Sequence, residues 1–112
     1  MLARENRIRT GADLRQTMKT GIKISGQATV LYLQRDESLT HARFGFIVSK
    51  AVAGAVGRNL VKRRLRAIAR EILLGQPAGF NAVIRAMPEA STAEWNRLQQ
   101  EVLSNVKSAL NK

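Results

Sequence analysis

The feature that most constrains the fold is a two-faced helical pattern between residues 56 and 74. At about 100° per residue, its core-type apolar residues fall within an arc of roughly 60°: Val61, Leu65, Ile68 and Ile72. Five cations fall within a neighbouring arc of roughly 140° by the same geometry: Arg58, Lys62, Arg63, Arg66 and Arg70. These five cations are called the basic stripe below. The pattern predicts a helix that packs by one stripe against a core and shows a dense positive stripe beside it.

The charge of the chain indicates a polyanionic partner. Its 112 residues carry 19 Lys and Arg against 8 Asp and Glu, a net charge of +11, and no carboxylate lies between Ser38 and Arg70. Ordinary solvated helices interleave acids with bases, so a nucleic acid explains this surface better than solvent does. A helix lying on an anionic membrane is a weaker alternative, because the apolar stripe is narrow, lacks Trp and Phe, and is flanked by predicted strands.

Several classes of protein are disfavoured by what the sequence lacks. No apolar run approaches the ~20 residues of a transmembrane helix, and the N-terminus lacks the apolar stretch of a signal peptide. Cysteine is absent, which excludes disulfides and thiolate metal sites and favours a cytoplasmic protein. We therefore expect no membrane partner.

The chain is predicted to form one domain, residues 1–112, of the α+β class. Residues 1–9 are predicted to be a flexible basic arm. Two capping-box patterns, at Thr10–Asp13 and Ser91–Glu94, predict the starts of a first and a last helix. The first helix should cover 11–20 and the basic helix 56–74, while strands are expected at 28–35, 42–50 and 80–87. An extended segment around 22–24 is left open as an additional short strand, and the helices are expected to leave part of one sheet face free.

The predicted strands have two unlike faces. Phe44, Phe46 and Val48 share one face and are expected in the core, whereas Gly45 and Ser49 lie on the other, less buried face with Arg43 and Ile47. Tyr32 points away from its neighbours Leu31 and Leu33. It is therefore the aromatic residue best placed to be exposed on a sheet face, where a base could stack.

No constellation for catalysis is evident. His41 is the only histidine and lies in a polar turn, and the carboxylates are scattered along the chain. Gly54 and Gly57 do not fit the phosphate-loop pattern GxxxxGK[ST]. We therefore predict no catalytic residue, no metal ligand and no cofactor bound by the protein alone.

The segment around the basic helix resembles the protein subunit of bacterial ribonuclease P. The resemblance lies in F-G-x-x-V-S-K at 44–50, A-V-x-R-N at 55–59 and V-K-R-R-L-R at 61–66. It extends to N-R-I-R at 6–9 followed by D-L at 13–14, to V-L-Y at 30–32 and to A-V-I-R at 82–85. It covers nearly the whole chain, and the basic-helix signature is its specific part.

The resemblance implies a fold and a function. The fold is a small two-layer α/β sandwich, ribosomal protein S5 domain 2-like, ordered helix-strand-strand-(strand)-helix-strand-helix, with a left-handed crossover at the basic helix. The function is that of the protein component of a ribonucleoprotein that removes the 5′ leader of precursor tRNA. In that family the RNA subunit carries out the hydrolysis with Mg²⁺, and the protein binds the catalytic RNA and the leader, not DNA.

The resemblance also assigns residues. RNA contacts are implied for Lys50, Arg58, Asn59, Lys62, Arg63 and Arg66, and Arg70 continues the same stripe. The leader cleft, between the first helix and the open sheet face, is expected to include Leu14, Met18, Tyr32, Ile47 and Ser49.

The chain departs from the family pattern at several positions. Leu60 replaces the second arginine of the usual R-N-R triplet, Ala51 replaces a second lysine, and Ala53-Gly54 replaces Gly-Asn. Leu14 and Met18 replace phenylalanines that often line the cleft, so we expect less base stacking and more reliance on backbone electrostatics and Tyr32. The alternative function is a non-enzymatic RNA-binding protein, such as a small ribosomal or ribosome-assembly protein.

Overall fold

The computed structural model describes residues 2–112, which form a mixed α+β fold. In chain order the elements are α1 (Gly11–Thr20), β1 (Ile22–Ser25), β2 (Thr29–Arg35), β3 (Arg43–Ile47), α2 (Ala55–Gly75), β4 (Phe80–Ala86) and α3 (Trp95–Leu110). Single 3-10 turns lie at Arg4–Asn6 and Pro88–Ser91. The predicted order of elements is confirmed, and the segment left open around 22–24 is strand β1.

The four strands form one mixed sheet in the order β1-β2-β4-β3. β2 pairs antiparallel with both β1 and β4, whereas β3 pairs parallel with β4. Helix α2 lies in the connection between the two parallel strands, as a crossover requires. The left hand of this crossover stays a prediction of the family resemblance.

The core lies between α2, α3 and one face of the sheet. The predicted apolar stripe of α2 is confirmed, since Val61, Leu65, Ile68 and Ile72 are all buried. Phe44 is also buried, and its ring meets that of Phe80 edge-on at 5.6 Å between centroids. Phe46 and Val48 pack against the same cluster, as their shared face predicts, although β3 ends at Ile47 and Val48 follows it.

Helix α1 packs on the opposite face of the sheet. A Cβ atom at Gly45 would lie only 2.5 Å from Cδ1 of Leu14, so the helix approaches the backbone of β3 where no side chain intervenes. Thr10 caps this helix as predicted, because its Oγ1 accepts a hydrogen bond from the Asp13 amide at 3.1 Å. α1 covers only part of this face.

The second predicted capping box is wrong. The N-cap residue of α3 is Glu94, which makes no side-chain capping bond. Pro88 begins a 3-10 turn that ends at Ser91, and the Ser91 hydroxyl donates to the Pro88 carbonyl at 2.9 Å. The turn uses the serine that the pattern assigned to the cap, so the helix begins later.

Residues 2–9 lie along the edge of β3. The Ile8 amide donates to the Phe44 carbonyl at 2.9 Å, and Nδ2 of Asn6 donates to the Ala42 carbonyl at 2.8 Å. Leu2 is buried in the core cluster. Met1, the first residue of the predicted arm, lies outside the described residues, and the flexibility of the arm stays a prediction about its motion.

One carboxylate joins α3 to the turn between β1 and β2. Glu101 accepts hydrogen bonds from the Gln27 amide at 2.9 Å, the Ala28 amide at 3.1 Å and the Thr29 hydroxyl at 2.6 Å. We expect Glu101→Ala to lower the free energy of unfolding by about 1–3 kcal/mol, because it leaves partly buried donors without an acceptor. Urea denaturation measures this. Gln100→Ala, an exposed change on the same helix, is the control and should alter stability by less than about 0.5 kcal/mol.

Candidate nucleic-acid interface

The basic stripe faces solvent along one side of α2. Arg63, Arg66 and Arg70 are exposed, as is Asn59, while Arg58 and Lys62 are half-buried. Arg58 also donates to the Ala53 carbonyl at 3.0 Å, which holds its guanidinium near the start of the helix. These positions agree with the predicted helical phase.

The helix's other central cation, Arg64, points elsewhere. Its guanidinium donates to the Ala93 carbonyl at 3.3 Å, in the segment before α3. The predicted phase excludes Arg64 from the basic stripe, and this contact agrees with that exclusion. The only ion pair among residues 2–112 joins Arg43 to Asp13, so no carboxylate in this part of the chain neutralises the stripe.

Leu60 lies in the turn between Arg58 and Lys62 and is 37% exposed. Val56, one turn earlier, is also exposed. An aliphatic side chain therefore faces solvent where the family pattern has its second arginine. This part of the surface therefore carries less positive charge than the family signature would give it, as the departures in the sequence predict.

Strand register arranges the second face of the sheet in three rows that cross the strands. Directly paired residues share a face, so each row can be read from the pairing. The polar row is Gln34, Asn81 and Arg43. The middle row is Lys23, Tyr32, Val83 and Gly45. The open row is Ser25, Val30, Arg85 and Ile47.

Helix α1 covers the polar and middle rows and leaves the open row accessible. Val83 and Gly45 are buried beneath it, whereas Ser25 and Arg85 are exposed, and Val30 and Ile47 are half-buried. Leu14 meets Gly45, and Met18 follows one turn later on the same side of the helix. The result is an open groove with α1 as its wall and the open row as its floor.

The predicted cleft residues are divided between wall, floor and end of this groove. Leu14 and Met18 belong to the wall, and both are half-buried. Ile47 belongs to the floor, and the exposed Ser49 follows the end of β3. The structure brings these four together around one surface; their contact with RNA stays a prediction.

The predicted exposure of Tyr32 is wrong. Tyr32 is only 9% exposed because it lies in the middle row, on the face that α1 covers. Lys23 lies beside it in the same row, with Nζ 6.0 Å from the ring centroid. The alternation of β2 gives the correct face for Tyr32, but it contains no information about a helix packed on that face.

Arg85 is a candidate site residue that sequence reasoning missed. It is exposed at the centre of the open row, between Val30 and Ile47 on the neighbouring strands. The available signal was the alternation of the last strand, which places a lone cation two residues after the buried Val83.

The groove and the start of α2 meet at one end of the sheet. The open row includes the C-terminal ends of the parallel strands β3 and β4 and the N-terminal end of β2. From Ile47 the chain runs through the exposed Ser49 and Lys50 to α2, which begins at Ala55. Ile47 in the groove floor is therefore close in sequence to Lys50 and to the first cations of the basic stripe, and these residues lie toward the same end of the sheet.

Residues 2–112 contain no helix that is long and apolar enough to cross a membrane. Nor do His, Asp and Glu side chains in this range gather in groups of three or more that could hold a metal ion.

Comparison with known proteins gives consistent matches. The family model described as Ribonuclease P matches residues 2–110. The ribonuclease P protein component of Pseudarthrobacter chlorophenolicus is 40% identical over 112 residues, which cover 100% of this chain and 82% of the relative. That of Clavibacter michiganensis subsp. michiganensis is 40% identical over 110 residues, which cover 98% of this chain and 97% of the relative.

Two solved structures have the same fold. The ribonuclease P protein of Staphylococcus aureus superposes with a TM-score of 0.81 at 25% identity, covering 93% of this chain and 94% of the other. That of Thermotoga maritima gives a TM-score of 0.79 at 23% identity, covering 91% of this chain and 96% of the other. The second likeness shows the fold alone.

Proposed function

The chain belongs to the ribonuclease P protein family, and from this premise we propose that it binds the 5′ leader of precursor tRNA in the open groove while its basic stripe binds the RNA subunit. The alternative of a ribosomal or assembly protein has no support in the comparisons, since the relatives and structures described above are ribonuclease P proteins.

The observation that carries this proposal is the meeting of groove and basic helix at one end of the sheet. Single-stranded RNA lying in the groove would run over Arg85 and Ile47 toward Lys50 and the start of α2. An RNA subunit held by the basic stripe would then lie next to the strand that is to be cut. This arrangement suits a protein that holds two RNAs side by side.

Charge and shape suggest different tasks for the two surfaces. The exposed arginines of the stripe offer planar forks that donate paired hydrogen bonds to phosphates. In the groove, Leu14 and Met18 give an aliphatic wall, and Arg85 gives a cation in the floor. Leader binding would therefore combine apolar contact with backbone charge, and it would depend little on aromatic stacking.

We further propose that the RNA subunit carries out the hydrolysis with Mg²⁺ and that the protein assists it electrostatically. The protein's cations lower the repulsion between leader and RNA subunit, which would let the RNA bind its divalent ions at lower concentration. No protein side chain is assigned to the bond-breaking step.

The test is reconstitution with the RNA subunit at low Mg²⁺. We expect the protein to raise both the cleavage rate and the affinity for precursor tRNA, with a smaller effect on mature tRNA, which lacks a leader. Affinity is measured by titrating the complex into labelled RNA, and rate by single-turnover cleavage. If the protein changes neither rate nor affinity for the leader-bearing substrate, the proposed function is wrong.

A further inference from the structure

A chain of polar contacts crosses the sheet beneath α1. Nε of Arg43 donates to Oδ1 of Asn81 at 2.8 Å, and Nδ2 of Asn81 approaches Oε1 of Gln34 at 3.5 Å. The polar row is tied to α1 at both ends. Asp13, in the first turn, pairs with Arg43 at 3.6 Å, and Thr20, the last helical residue, accepts from Nε2 of Gln34 at 2.8 Å.

The lengths of the helix and of the row match. From Asp13 to Thr20 the helix rises seven residues, or about 10.5 Å. From β2 across β4 to β3 there are two strand spacings, or about 9.6 Å. α1 therefore lies along the polar row, across the strands, with each end fixed to a different strand.

Apolar packing alone does not fix this orientation. Thr17 is the only fully buried residue of α1, and Leu14 and Met18 are half-buried. Hydrophobic contact is non-directional, so it can hold the helix on the sheet while permitting rotation and sliding. At one end the hydrogen bond from Gln34 to Thr20 is directional. At the other end the ion pair between Arg43 and Asp13 holds the first turn, so the two ties together set the angle of α1 across the strands.

The position of α1 determines the width of the groove. The polar row and the open row are four residues apart along each strand, or about 13 Å. α1 lies over the polar and middle rows, beside the open row that forms the floor of the groove. A helix that turned or slid on the sheet would move Leu14 and Met18 relative to Arg85 and Ile47.

We propose that Asn81 is a positioning residue for leader binding, acting through Gln34 and Arg43 to hold α1 at the distance that fits a single RNA strand. The inference rests on the proposed function and names a residue outside the binding surface. Asn81 is only 5% exposed and lies under α1, so its effect on RNA passes through the helix.

The experiment compares Asn81→Ala with Val106→Ala in the complex reconstituted with the RNA subunit. Val106 is buried on α3, against the other face of the sheet, so its truncation lowers stability without touching the polar row. The readout is the ratio of affinities for precursor tRNA and mature tRNA, measured where both variants are folded.

We expect Asn81→Ala to lower that ratio about tenfold, equivalent to ~1.4 kcal/mol, and Val106→Ala to leave it unchanged. The salt dependence of leader binding should keep its slope, because no cation is removed. In a Leu14→Ala background the effect of Asn81→Ala should shrink, since both changes act on the same contact.

Thr20→Val is the second variant, and it leaves the buried side-chain amide of Asn81 in place. It removes, at an exposed position, the hydroxyl that accepts from Gln34 and donates to the Gln16 carbonyl within α1, and it should lower the same ratio by a smaller factor. If Asn81→Ala and Thr20→Val both keep the wild-type ratio, or if Val106→Ala lowers it equally, the positioning role is wrong. If the wild-type complex itself shows no preference for the leader, the proposed function fails and the inference fails with it.

Discussion

Leu65→Ala is expected to lower the free energy of unfolding by about 2–5 kcal/mol. Leu65 is fully buried at the centre of the apolar stripe of α2, where it packs in the cluster shared by the sheet and α3. Truncation removes buried methyl groups and leaves a cavity that the surrounding helices and strands refill only in part. Chemical denaturation of the protein alone measures the loss.

Leu60→Ala is the matched control for this prediction. It makes the same chemical change five residues earlier on the same helix, but Leu60 is 37% exposed. The free energy of unfolding of this variant should fall by less than about 1 kcal/mol. Equal losses in the two variants would contradict the assignment of which side of α2 faces the core.

The phase of α2 was predictable because it depends on local geometry alone. A helix turns by a fixed angle per residue, so the sequence determines which residues share a side. The same arithmetic separates Arg64 from the basic stripe, and the structure shows Arg64 bonded to the Ala93 carbonyl. Strand faces were predictable for the same reason, as the burial of Phe44 shows.

What covers each face was less predictable. Tyr32 lies on the expected face of β2, but α1 packs over it and leaves it buried. The helix can pack close to this face because Gly45, on β3, has no side chain opposite Leu14. That pairing joins residues 31 positions apart and leaves no periodic signal in the sequence. The start of α3 was missed for a local reason, since the turn at Pro88–Ser91 competes with the capping pattern.

The polar row was invisible to sequence reasoning because it exists only once the register is set. Arg43 and Asn81 are 38 residues apart, and Asn81 and Gln34 are 47 apart. Each residue alone is an ordinary polar position on a strand. Their alignment depends on the order β2-β4-β3, in which the last strand inserts between two earlier ones.

The second large effect concerns the charge of α2. The combined variant Arg63→Ala, Arg66→Ala, Arg70→Ala is expected to flatten the salt dependence of binding to the RNA subunit by about 2–3 units of log–log slope. For a wild-type protein making six phosphate contacts, the slope should be about −4 to −5. If the two proteins converge near 1 M salt, the variant binds about 10²–10³-fold more weakly at 0.1 M. Titrations at a series of KCl concentrations measure both quantities.

The fold should survive this change, because the three arginines are exposed and none has a carboxylate partner among the described residues. Its matched control is Lys107→Ala, which removes an exposed cation from the last turn of α3 and should leave the slope nearly unchanged. Leu60→Arg restores the charge of the family pattern and should steepen the slope by about one unit. A triple variant with the wild-type slope would show that RNA binds elsewhere. An unchanged slope in Leu60→Arg, beside a flattened triple variant, would instead show that the RNA does not reach the side of α2 that carries Leu60.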